Sequence, residues 1–349
     1  MENCTSHCTH THRRDFLKTC FNSCCGLSAT LLLAPVAARR AYGQVPFGEV
    51  IGQRSFARIE KVGDGNWALI STPFDAKGGV GDRTTLCNGG LIVGKDRILA
   101  IDSYRMPAGG QYISEVCKFL TGRLPTHIVH THFHFDHLGG TQGFFHAGAK
   151  PEVIMTQETR KLAFNTYIKT QTDPKDPNFS ISSIGKWGGN LMDASKIIVD
   201  ETKDITFDLG GRTVTIMPMS GHTNSDLVIR DDETRVVFGG DLMWDGIFPN
   251  FMSSSPSKWR TSVRKIMENE KSIIVPGHGG VVKANSLQTK TYEQLLAEIE
   301  QHAAASHKKG LGFNEAAKRL NLSDTFGDLR YMRNGFHEIA MEAWYKELK

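Results

Sequence analysis

After residue 25 the chain has only two cysteines, Cys87 and Cys117. The other five, Cys4, Cys8, Cys20, Cys24 and Cys25, crowd into its first 25 residues. The bulk of the chain therefore has neither a disulfide framework nor a thiolate cluster for a structural metal. Cys87 and Cys117 are left as one pair or as two buried thiols. A charge excess is missing as well. The formal charge is +4, and residues 1–43 carry +3 of it, from Arg13, Arg14, Lys18, Arg39 and Arg40 against Glu2 and Asp15. The near-neutral remainder has no footprint for nucleic acid or for an anionic membrane. Long apolar runs are also scarce. The candidate from Cys20 to Ala38 is interrupted by Asn22 and by small residues, which is weak for a membrane span.

That stretch follows Arg13-Arg14-Asp15-Phe16-Leu17-Lys18, which resembles a twin-arginine export motif. Small residues at Val36-Ala37-Ala38 and Ala41-Tyr42-Gly43 offer cleavage sites. Residues 1–43 are expected to be a signal segment. The mature protein is then periplasmic or secreted, with no stable membrane span. This route carries folded proteins, often with a cofactor in place, which suits a metalloprotein.

What the chain does have is Thr131-His132-Phe133-His134-Phe135-Asp136-His137-Leu138-Gly139-Gly140. Three histidines and an aspartate fall within six residues, just after the apolar pair Ile128-Val129. Neutral imidazole suits zinc, iron, nickel and copper, and a carboxylate adds charge to hold a divalent ion. On extended backbone His132 and His134 project to one side, while the adjacent Asp136 and His137 diverge toward a second ion. His127, His130 and His146 are read as structural.

The same device recurs further on: an apolar strand, a nearby glycine, then a ligand-type residue. Thr213 to Ile216 leads to Ser220-Gly221-His222, and Val236-Val237-Phe238 to Gly239-Gly240-Asp241. Ile273-Ile274-Val275 leads to Pro276-Gly277-His278. Other strands are expected at Trp67 to Ile70, Thr84 to Val93, Arg97 to Ile101 and Val153 to Met155, and a hairpin turns at Gly210-Gly211. Helices are expected over Ala108 to Gly122, Gln157 to Lys169, Pro256 to Asn269 and much of Lys283 to Lys349. Asp102 and Asp226 are expected to support the ligands from behind. The loops around 180–190 and 244–254 are expected to shape the pocket.

The set His132-x-His134-x-Asp136-His137, then His222, Asp241 and His278, resembles the metallo-β-lactamase fold superfamily. The resemblance covers residues 56 to 290. It implies an α/β fold, an αββα sandwich of two mixed β-sheets flanked by helices. The expected division is a catalytic domain over 44–290 and a C-terminal helical extension over 291–349. By resemblance, His132, His134 and His222 bind one zinc ion and Asp136, His137 and His278 the other, with Asp241 bridging; iron or manganese are alternatives. Asp241 is similar to the carboxylate of glyoxalase II-like members and unlike dedicated zinc β-lactamases. Gly239 to Trp244, Cys87-Asn88-Gly89-Gly90 and the exported N-terminus are similar to exported quinoprotein-relay zinc metallohydrolases. Asn224-Ser225 replaces the Pro-Gly usual after the third-motif histidine.

The implied activity is hydrolysis of an ester, thioester, lactone or amide of a small molecule. A hydroxide held between the ions attacks the carbonyl, and Asp136 orients it. Two other readings stand beside it: iron-dependent sulfur and oxygen chemistry like that of persulfide dioxygenases, and a non-catalytic periplasmic metal-binding accessory protein. No nucleic-acid partner is expected, and the residues carry no signal for an oligomeric state.

Overall fold

Apolar side chains on both faces of a strand demand cover on both faces. In the run Ile98–Ile101, Ile98 and Ala100 pack into one cluster while Leu99 and Ile101 pack into another. That alternation sets up a layered fold. The computed structural model describes residues 46–168 and 195–349. The expected signal segment, and the expected pocket loop around 180–190, lie outside the described residues.

The first sheet runs β1 (Glu49–Gln53), β2 (Ala57–Gly63), β3 (Asn66–Ser71), β4 (Gly89–Val93), β5 (Ile98–Ile101), β6 (His127–Val129), β7 (Glu152–Thr156) and β8 (Ser195–Val199), in that spatial order. Strands β1 to β5 pair antiparallel, and β5 to β8 pair parallel. The second sheet contains β9 (Ile205–Asp208), β10 (Thr213–Met219), β11 (Asp226–Asp231), β12 (Val236–Trp244), β13 (Ile273–His278) and β14 (Val282–Lys283). Only β12 and β13 pair parallel there.

Between the sheets lie Ile70, Ile92, Leu99, Ile101 and Val129 from one side and Ile216, Leu227, Ile229, Phe238 and Val275 from the other. Gly90 makes room for the Phe238 ring, which a Cβ there would overlap. Truncating Phe238 to alanine would cost about 3–5 kcal/mol. On the outer face of the first sheet lie α1 (Pro107–Thr121), the short α2 (Phe135–Leu138) and α3 (Thr141–His146). Gly110 of α1 touches the Gly140 carbonyl, so any side chain there would push the ligand loop away. After β7 come α4 (Gln157–Ala163) and a π-helical turn, Phe164–Ile168, where a single α-helix through Lys169 was expected.

On the outer face of the second sheet lie α5 (Pro256–Met267), α6 (Leu287–Lys308), α7 (Phe313–Lys318) and α8 (Phe336–Glu347). Phe326, Phe336 and Trp344 of the tail share one apolar cluster with Val228, Val237 and Ile274 of that sheet. The α6 helix runs straight through position 290, so the expected boundary falls inside a helix. The architecture is the αββα sandwich of two mixed sheets. No helix among the described residues is long and apolar enough to cross a membrane.

Two strand boundaries differ from expectation. Thr84 to Asn88 is not strand; only Gly89–Val93 is. Leu86 there takes a left-handed φ of 66°, which ends pairing. Conversely β12 does not stop at Gly239 but continues through Asp241 to Trp244, buried along its length. Gly240, at φ 51°, bends it without ending it.

Candidate metal centre

The strand ends converge on one edge of the sandwich. Residues 130–134 follow β6, and α2 carries Asp136 and His137. His222 follows β10, Asp241 lies within β12, and His278 closes β13. All seven expected ligand positions meet there in two groups. One is His132, His134, His222 and Asp241, all buried; the other is Asp136, His137 and His278. Within each group the donor atoms lie within 4.8 Å of one another.

Asp241 stands between the groups. Its Oδ2 is 3.2 Å from His222 Nε2, 3.2 Å from His278 Nε2 and 3.9 Å from His132 Nε2. Its Oδ1 is 3.0 Å from His137 Nε2. Asp136 Oδ2 lies 3.4 Å from His278 Nε2 and 3.8 Å from His137 Nε2. Gly277 is the only residue type that fits beside Asp241, because a Cβ would overlap Oδ1.

Hydrogen bonds on the far side of the rings fix which nitrogen faces inward. Asp102 does most of this. Its own backbone is at φ 55°, a conformation non-glycine residues seldom adopt and one that gathers at functional sites. Thr131 N–H donates to Asp102 Oδ1 at 2.8 Å, and the Thr131 hydroxyl donates to Oδ2 at 2.8 Å. His137 Nδ1 donates to the same Oδ2 at 2.7 Å. His132 Nδ1 lies 3.1 Å from the Thr131 hydroxyl and donates into that chain. His278 Nδ1 donates to the Leu86 carbonyl at 3.1 Å, which gives the left-handed turn at Leu86 its purpose. The Cys87 thiol donates to the Asp136 carbonyl at 2.9 Å. Asn88 donates to the Pro276 and Gly279 carbonyls at 2.8 and 2.9 Å, clasping the turn that holds His278. His134 Nε2 meets the Ser253 hydroxyl at 3.2 Å. Trp244 stacks on His278 with centroids 4.0 Å apart. Asp226 accepts from the Thr223 N–H and hydroxyl at 2.9 and 2.7 Å, and so shapes the turn just after His222.

The electrostatics suit a cation. Burial pushes His132, His134 and His222 below the usual histidine range, His134 to about 4 and His222 to about 3. They are neutral at pH 7, ready to offer lone pairs. Burial works against charge on His137 too, but the carboxylates of Asp241, Asp102 and Asp136 raise its pKa. Burial likewise opposes ionisation of Asp241, yet His278, His137 and His222 hold it well below the usual carboxylate range. Asp226, by contrast, is pushed up to about 8 by burial.

Three of the inward atoms lack hydrogen-bond partners. His132 Nε2, His137 Nε2 and Asp241 Oδ1 are buried and make no hydrogen bond. His222 Nε2 and His134 Nδ1 face each other at 2.8 Å. His222 Nδ1, on the outer side of its ring, is buried without a partner as well, so this ring is under-satisfied, and a bound cation would take the inward lone pairs. The donor set of imidazoles and carboxylates fits divalent ions.

The spacing in the sequence located all seven convergent residues and Asp102. Ser253, Trp244, Leu86 and Asn88 were missed as individual contributors. Leu86 acts through its carbonyl, which no side-chain pattern reveals. Ser253 sits in the 244–254 loop expected to shape the pocket. Cys87 and Cys117 are both buried and free. His127 and His130 lie outside the cluster. His127 contacts Thr126 and Glu152, and His130 pairs with Thr141.

Residues 107–278 match the family model described as the metallo-beta-lactamase superfamily. An acyl-coenzyme A thioesterase, MBLAC2, of Gallus gallus is 25% identical over 200 residues, spanning 54% of this chain and 66% of that protein. A hydroxyacylglutathione hydrolase of Erythrobacter litoralis is 26% identical over 168 residues, 48% of this chain and 51% of that protein. The matches thus span about two thirds and about half of those relatives. Among solved structures, a metallo-beta-lactamase from Pontibacter korlensis superposes with a TM-score of 0.52 at 18% identity, covering 69% of this chain and 99% of that one. That likeness speaks for the fold.

Proposed function

From the premise that this chain carries a metallo-β-lactamase superfamily domain over residues 107–278, we propose that it is an exported hydrolase of thioesters and related esters working with two zinc ions. One observation carries the reading: the donors fall into two groups, and the Asp241 carboxylate lies 3.2 Å from His222 of the first and 3.2 and 3.0 Å from His278 and His137 of the second. His132, His134 and His222 would hold one ion, Asp136, His137 and His278 the other, and Asp241 both. Bound divalent ions supply an activated water at neutral pH and a Lewis acid for the carbonyl oxygen.

The chain's own residues do the rest. Asp102 and the Leu86 carbonyl keep the His137 and His278 rings turned so that Nε2 points inward. Asp136, more exposed than its neighbours, is the carboxylate placed to accept a proton and orient the attacking water. Phe133, Phe135 and Trp244 wall the centre and keep its dielectric low. The thioesterase and hydroxyacylglutathione hydrolase relatives support a thioester carbonyl over an amide. An amide also needs its leaving nitrogen protonated, a demand that a thioester does not make.

The test is a metal-quantified preparation assayed against thioesters, lactones, β-lactams, phosphodiesters and sulfate esters. Two zinc ions per chain with thioester or ester turnover is the expected result. A single iron with oxygen consumption and no hydrolysis would overturn the reading. Export rests on Arg13-Arg14 and the weakly apolar run after it. Replacing both arginines by lysine should strand the protein in the cytoplasm, and unchanged export would remove that part.

A further inference from the structure

Arg105 stands on the Asp136 side of the centre with Arg83 as its charged neighbour. Arg105 N–H donates to the Thr85 carbonyl at 3.1 Å, and Met106 N–H to the Thr84 carbonyl at 3.0 Å. This short ladder lays Arg105 alongside the segment that begins with Arg83. The Arg105 guanidinium carbon sits 5.8 Å from the centroid of the Phe135 ring. Phe135 is the residue between His134 and Asp136, so the cation overhangs the ligand loop itself. Its hydrogen bond is to the Met106 sulfur, at 3.3 Å. Among the described residues, neither arginine has a carboxylate within ion-pair distance, whereas Arg58, Arg212, Arg230, Arg260, Arg264 and Arg319 all do.

Such an arrangement is costly at rest. Burial and the neighbouring Arg83 charge both press the half-buried Arg105 pKa down, and Asp136 pulls it back up. A partly desolvated guanidinium beside a second one wants an anion. Asp136 does not supply it, because its carboxylate is turned toward His137 and His278. The same rim is also apolar. Met106 is 40% exposed and Phe164 44% exposed. Phe164 opens the π-helical turn whose Tyr167 ring meets Phe135 at 5.4 Å. An apolar rim capped by unpaired guanidiniums fits one class of molecule, an acyl compound that also bears an anion.

We propose that Arg83 and Arg105 bind a carboxylate or phosphate group of the substrate and so hold its scissile carbonyl at the metal centre. The inference rests on the hydrolase reading and narrows it to anionic thioesters and esters. Guanidinium recognises both oxyanions through paired N–H donors.

The experiment uses the full-length, metal-loaded protein and three thioethers that cannot be hydrolysed. They share one alkyl chain and end in a carboxylate, a phosphate or a neutral carboxamide. Calorimetry should show the anions binding about tenfold tighter than the carboxamide, as expected for a charge-assisted contact in a half-buried place. Arg105→Ala should shrink that preference to about twofold, and Arg105→Lys should keep part of it, since lysine is a point charge without the fork. The ratio between carboxylate and phosphate tells the two anions apart. Metal content and melting temperature of each variant establish that it is folded. Equal binding of all three ligands, binding of none, or a preference that survives both Arg83→Ala and Arg105→Ala would overturn the proposal. Thioester turnover is measured in parallel. Turnover without anion preference sinks this inference alone, and anion preference without any turnover sinks the hydrolase reading alone.

Discussion

His132, His134 and His222 lean largely on one another, while Asp136, His137 and His278 are each fastened from outside the cluster. In the first group the His132, His134 and His222 rings pack edge to face at 4.6–4.7 Å, and the outside support is the Ser253 hydroxyl and the Thr131 relay. In the second, His137 has the Asp102 carboxylate, His278 the Leu86 carbonyl, and the Asp136 backbone the Cys87 thiol. The charges differ too. Three neutral imidazoles form one group, whereas the other brings its own carboxylate. The same fold edge has built one site by burial and the other by bracing. Burial protects ligands from protons, and bracing fixes their direction.

Asp241 is where the contrast should vanish, because both groups use it. Asp241→Ala should release both ions and cut hydrolysis about 10³-fold, the scale of several kcal/mol of lost charge stabilisation. Metal analysis and turnover check it, and retention of one full equivalent would mean the groups do not share this residue.

Removing a brace should separate the groups. Asp102→Ala should weaken the second ion by roughly 10–100-fold and the first by less, since His137 is held directly and His132 only through Thr131. A competitive zinc titration that finds both sites equally weakened would erase the distinction.

Protons should separate them as well. The His137 pKa lies above its ordinary value, so this ring carries a proton at neutral pH that must leave when an ion binds. Affinity at the second site should therefore rise with pH through the neutral range. His134 and His222 titrate at about 4 and about 3, so affinity at the first site should stay level until acid pH. Titrations at pH 6, 7 and 8 giving parallel slopes would contradict this.

The smallest effect is expected at Ser253. Ser253→Ala removes one neutral hydrogen bond to His134 and should cost about 1 kcal/mol at the first site, about fivefold in affinity. A loss at the second site instead would show that the bracing has been assigned to the wrong group.

The two groups were not equally legible in the sequence. His132, His134, Asp136 and His137 announce themselves by spacing, and His222, Asp241 and His278 by the apolar strands that lead to them. Asp102 showed itself as a carboxylate ending an apolar strand. The braces of the second group were hidden, because Leu86 works through its backbone and Cys87 and Asn88 work on carbonyls. The run from Thr84 to Val93 reads as β-prone, yet its first half must turn so that the Leu86 carbonyl meets His278. Gly239-Gly240 looked like a strand end and proved a bend, since Met243 and Thr131 press so closely there that side chains would collide. Arg83 and Arg105 carry no pattern at all. Their meaning comes only from which loop they overhang.

The most direct measurement is anomalous scattering at the zinc edge from crystals of the zinc-loaded protein. Two peaks are predicted, one among His132, His134 and His222 and the other among Asp136, His137 and His278, with Asp241 between them. A single peak, or a second one lying away from the Asp136 group, would contradict the shared two-ion centre.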